Sequence, residues 1–76
     1  MRPADLAVAA TARADLVSGA ARSQRDALGV TQAEVADALG VSKQSVSRWE
    51  SGGSVPSADH ALAYAKLLRQ LAKRAA

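Results

Sequence analysis

The chain has 76 residues, with 10 Lys and Arg against 7 Asp and Glu for a formal net charge of +3, and no cysteine. A chain of this length makes one domain and buries only about 60% of its unfolded surface, so its core is small and dimerisation would help it; the lack of cysteine excludes a disulfide scaffold and a thiolate zinc site, and it fits a reducing cytosol. No apolar run nears the roughly 20 residues of a membrane span, the N-terminus lacks the compact apolar core and cleavage site of a signal peptide, and a composition dominated by alanine and aliphatics shows none of the β-branched alternation that strands need.

The reading is therefore all-α. Pro3 suits the first turn of a helix, and Asp5 complements the dipole there. From Ala4 to Leu28 the sequence predicts one long helix, with Leu6, Ala10, Arg13 and Val17 continuing a stripe through Ala20, Ala21, Gln24 and Leu28. Ser18-Gly19 is its weak point, because an interior glycine costs about 1 kcal/mol relative to alanine. Gly29 ends this helix, and Val30 packs at the corner.

The stretch from Thr31 to Gly52, TQAEVADALGVSKQSVSRWESG, reads as two short helices joined by a tight turn. Thr31 and Glu34 form a capping box, in which the hydroxyl takes a first-turn N–H and the carboxylate reaches back to the cap's own N–H. Val35, Ala36 and Leu39 recur at helical spacing, and Gly40 follows, the residue that most easily turns left-handed to end a helix. Val41 plugs the corner, and Ser42 caps a second helix over Lys43 to Ser51 whose inward stripe is Val46 and Trp49. Gly52-Gly53-Ser54-Val55-Pro56 is a loop. Ser57 then caps a last helix reaching about Lys73, with Ala61, Tyr64, Ala65, Leu68, Leu71 and Ala72 inward and Lys66, Arg69 and Lys73 on another side.

At about 100° per residue, Gln44, Ser47, Arg48 and Ser51 face away from Val46, Trp49 and Glu50, with Lys43 at the exposed N-terminal edge. Long hydrogen-bonding side chains in the first two turns suit the B-DNA major groove, which admits one helix. Charge is uneven along the chain. The segment 31–41 holds Glu34 and Asp37 with no base, whereas 53–76 holds Lys66, Arg69, Lys73 and Arg74 against Asp59 alone. His60 is a lone imidazole and a poor metal site. No serine has a base and orienting acid at hand, so neither an enzyme nor a cofactor is expected.

The pattern Thr31-Gln32, Val35-Ala36, Leu39-Gly40-Val41-Ser42, Val46-Ser47, Trp49-Glu50, Gly52 and Pro56 resembles the helix-turn-helix of the Cro/phage-repressor (Xre) family. The resemblance implies a compact four- to five-helix bundle of the lambda-repressor-like type, with a long N-terminal helix and the helix-turn-helix at 31–52. By position it gives base reading to Lys43, Gln44, Ser47 and Arg48, and phosphate contact to Gln32, which also braces the recognition helix. Ser42, Ser45, Gly53 and Ser54 complete the phosphate set, the last two through backbone N–H and hydroxyl donors. The loop 52–56 has no Lys or Arg where relatives often place them, which implies a shallower salt dependence. The inward Glu50 needs a partner, and the family pattern gives it Arg25 as a structural ion pair.

Relative to the family, residues 3–14 are an N-terminal helical extension. It reads as a solvent-exposed or frayed end, as a surface for a second subunit, or as a separate helix after a break at Gly19. The chain ends before the fifth short helix that many relatives use as a dimer contact. The expected function is a sequence-specific regulator of transcription in the cytoplasm, associated with the nucleoid. It would bind a double-stranded, inverted-repeat operator as a homodimer, with no membrane and no small-molecule ligand. The alternative is a protein-interaction module or antitoxin gripping a protein partner with the extension or the last helix.

Overall fold

Four helices of the computed structural model end at a glycine or just before one, and the path of the chain follows from those ends. The structure describes residues 1–75. In order they form α1 (Pro3–Ser18), α2 (Ala20–Ala27), α3 (Gln32–Leu39), α4 (Lys43–Ser51) and α5 (Ala58–Ala75). Among the described residues there is no strand; the helices enclose a main core of Leu16, Ala21, Val35, Ala36, Val46, Trp49, Tyr64 and Leu68, with a smaller cluster of Ala9, Ala12 and Ala61 beside it.

The N-terminal third departs from the single long helix expected between Ala4 and Leu28. Gly19 sits at φ 89°, left-handed, and splits that stretch into α1 and α2. Ser18 reinforces the break: its hydroxyl donates to the Asp15 carbonyl (3.2 Å) and accepts from the Ala20 N–H (3.3 Å), competing with the helical ladder. The break changes which face of α1 points inward. Leu6 and Val17, expected in the inward stripe, are 51% and 73% exposed, and the buried positions are Ala9, Ala12 and Leu16. A stripe phased through both helices as one cylinder was bound to fail once the axis turned at Gly19.

Residues 3–14 are accordingly neither frayed nor projecting. Ala9 and Ala12 pack on Ala61 of α5, with Ala58, Leu62 and Ala65 around them. Small residues on both sides let the two helices lie close, so the extension and the last helix cover each other's inner faces. Arg13 adds a tie across the chain, its Nε donating to the Pro56 carbonyl at 3.0 Å.

Local signals set the remaining ends. The capping box is formed, with Glu34 N–H to Thr31 Oγ1 at 3.1 Å and Thr31 N–H to Glu34 Oε1 at 3.0 Å. The Thr31 backbone N–H, and then its hydroxyl, hold the Glu34 carboxyl below its usual range. Ser57 accepts from the His60 N–H (3.2 Å) and starts α5. His60 lies against Trp49, ring centroids 5.6 Å apart.

Candidate nucleic-acid interface

The interface is built on the turn between α3 and α4. Gly40 closes α3 at φ 70°, and the Val41 N–H reaches back to the Ala36 carbonyl at 3.0 Å, the six-residue closure of a helix C-terminus. Ser42 then opens α4: its Oγ accepts the Ser45 N–H at 3.1 Å and lies 3.0 Å from the Ser45 hydroxyl. Beneath the turn, Val35, Ala36, Val46 and Trp49 are all under 7% exposed. Trp49 therefore has no open face on which a base could stack.

On the opposite flank of α4, Lys43, Gln44, Ser47 and Arg48 are all exposed. Among the described residues none of their side chains makes a hydrogen bond or ion pair to the protein. Their donors and acceptors are held outward on a rigid helix and left to a ligand or water.

Behind that helix sits one carboxylate. Glu50 is 7% exposed and Arg25 5%. Arg25 binds it in a two-pronged fork, Nε to Oε2 at 2.7 Å and Nη2 to Oε1 at 2.8 Å, while Arg25 Nη1 donates to the Val30 carbonyl at 2.8 Å. Gln32 Nε2 donates to Glu50 Oε1 at 2.9 Å, and the Tyr64 hydroxyl donates to Oε2 at 2.7 Å. Side chains from α2, α3 and α5 thus converge on one residue of α4. Burial alone would push the Glu50 carboxyl up, but the hydrogen bonds from Arg25, Gln32 and Tyr64 outweigh it and hold it below the usual carboxylate range. Burial first, and then the bond to Glu50, raise the Tyr64 hydroxyl. The bond to Glu50 raises the Arg25 guanidinium despite its burial.

Gln32, half-buried at the first turn of α3, has one amide N–H engaged by Glu50. Only the NH2 end can face a carboxylate, so the second N–H of Nε2 stays available at a helix N-terminus that already favours anions. Gly53 and Ser54 differ from expectation. Their backbone N–H groups both donate to the Arg48 carbonyl, at 2.8 and 3.3 Å, and close the end of α4. Those two donors are engaged inside the protein, which leaves the exposed Ser54 hydroxyl as the loop's outward donor.

A family model described as helix-turn-helix matches residues 22–74. The chain belongs to the Cro/C1-type helix-turn-helix family. No curated protein and no solved structure matches it significantly. This family is one of DNA-binding regulatory domains and is not typically enzymatic, and membership makes the chain a DNA-binding helix-turn-helix regulator in the general sense. The match starts inside α2, so the whole of α1 lies outside it. No helix among the described residues is long and apolar enough to cross a membrane.

The Tyr64 bond to Glu50 and the Arg13 bond to Pro56 are not among the contacts expected from the sequence. A signal existed for the first. A buried tyrosine needs a partner for its hydroxyl, and Glu50 was the one inward carboxylate. Nothing local pointed to the second.

Proposed function

We propose that this chain is a sequence-specific, double-stranded DNA-binding regulator of transcription, a Cro-like or phage-type repressor that lays α4 in the major groove. One observation carries the reading: α4 turns an unpartnered polar flank outward while the Glu50 cluster anchors its inner side to three other helices. Lys43 and Arg48 match guanine O6 and N7, Gln44 matches adenine N6 and N7, and Ser47 suits either; each good pair contributes about 1–3 kcal/mol of discrimination. Phosphates are met by the free N–H of Gln32, by Ser42 and Ser45 at the start of α4, and by Ser54 beside Gly53, which has no side chain to hold the backbone away. The whole chain acts as one binding unit. It binds as a homodimer on an inverted repeat, with half-sites about 34 Å apart to meet successive major-groove faces.

Selection from a random duplex pool tests this. The wild-type chain is expected to enrich a two-fold symmetric site. Arg48→Ala and Gln44→Ala should keep their melting temperature and lose preference at defined positions. Recovery of the wild-type site by both variants, or of no site by the wild type, would end the reading.

A further inference from the structure

We propose that Arg13, on the helix outside the family match, makes a DNA phosphate contact beside the loop that follows α4. The inference rests on the DNA-binding reading above. The loop 52–56 leaves the end of α4 with no Lys or Arg of its own, and the N–H groups of Gly53 and Ser54 are engaged by the Arg48 carbonyl. A backbone phosphate arriving at this loop meets little positive charge from the loop itself. Arg13 supplies it from elsewhere. Its Nε donates to the carbonyl of Pro56, the loop's last residue, at 3.0 Å and across 43 positions of sequence.

That bond does two things. It places the guanidinium at the end of the loop, and it fixes the plane of the fork while using only Nε. Among the described residues Nη1 and Nη2 have no protein partner and no carboxylate lies within ion-pair distance; the pairs formed there are those of Arg25 with Asp26 and Glu50. A half-exposed arginine held by one nitrogen, with its charge uncompensated, is preorganised for a phosphate, because little rotamer freedom is left to lose. Its platform is firm, since α1 is seated on α5 through Ala9, Ala12 and Ala61, none more than 5% exposed.

The test separates a phosphate contact from a mere tether. Binding of wild type, Arg13→Gln and Arg13→Lys to a short random-sequence duplex is measured by fluorescence anisotropy between about 50 and 200 mM salt, with the melting temperature of each. Arg13→Gln should bind severalfold more weakly and flatten the plot of log K against log salt by about 0.9, while Arg13→Lys keeps the wild-type slope. A folded Gln variant with the wild-type slope overturns the proposal and leaves the DNA-binding reading standing. Failure of the wild type to bind overturns both. If the variants do not fold, the side-chain Nε–H signal of Arg13 in the wild-type protein decides: it should shift on adding the duplex, and an unmoved signal refutes the contact.

Discussion

Glu50 shows how one buried residue can hold a helix in place from its inner side. Its carboxylate takes four hydrogen bonds from Arg25, Gln32 and Tyr64. Removing it strands a buried guanidinium, and losing one partner of a buried pair costs about 3–5 kcal/mol. Glu50→Ala should therefore melt well below wild type; an unchanged melting temperature would contradict the cluster. Tyr64→Phe keeps the ring and removes one bond to a charged acceptor, about 1.5–3 kcal/mol. The cluster also predicts where stability fails with pH. The Glu50 carboxyl is lowered on folding, so its contribution is full above the unfolded value of about 4.3 and is lost as pH falls through the folded one. The Tyr64 hydroxyl is raised on folding, so its contribution is full below about pH 10 and is lost as pH rises further. Urea titrations across pH should show a plateau between those limits, and Tyr64→Phe should lower the plateau and soften the alkaline fall.

At the scale of the element, legibility tracked the distance over which the deciding contact acts. The bounds of α3 and α4 were readable because Thr31 with Glu34, Ser42 with Ser45 and the Gly40 turn all act within a few residues. The split at Gly19 was not, because interior glycines are tolerated in helices and only packing decides whether one bends. Here it does: a continuous helix could not seat Ala9 and Ala12 on α5 while placing Ala21 and Arg25 in the main core. A side chain at φ 89° is strained even though an added Cβ would meet nothing within 4 Å, so Gly19→Ala should destabilise by about 1–2 kcal/mol. For a domain this small that is a fall of roughly 4–16 °C in melting temperature, and an unchanged or raised value would show that the left-handed turn is not required. The outward flank of α4 was legible for a further reason. Its inward stripe phases the wheel, and the polar side follows.

For the whole molecule, a radius of gyration of 11.3 Å is close to the roughly 11 Å expected of a compact chain this long. The N-terminal helix is folded into that body rather than reaching away from it. α1 and α5 use their inner faces on each other, so a second subunit must meet other surfaces. Sedimentation of the protein with an inverted-repeat duplex should give two chains per duplex; one chain per duplex would remove the dimer from the proposal.

Composition and local pattern were enough to establish an all-helical chain, the capped helix-turn-helix and the side of α4 that stays polar, because caps, turns and helical phase are relations between residues three or four apart. Whether α1 stood alone or docked, which hydroxyl completed the Glu50 cluster and which cation came to the loop were matters for the folded state. Those contacts join Ala9 to Ala61, Glu50 to Tyr64 and Arg13 to Pro56; each spans elements far apart in sequence, and the two made by α1 need the left-handed turn at Gly19 that brings the first helix back across the last.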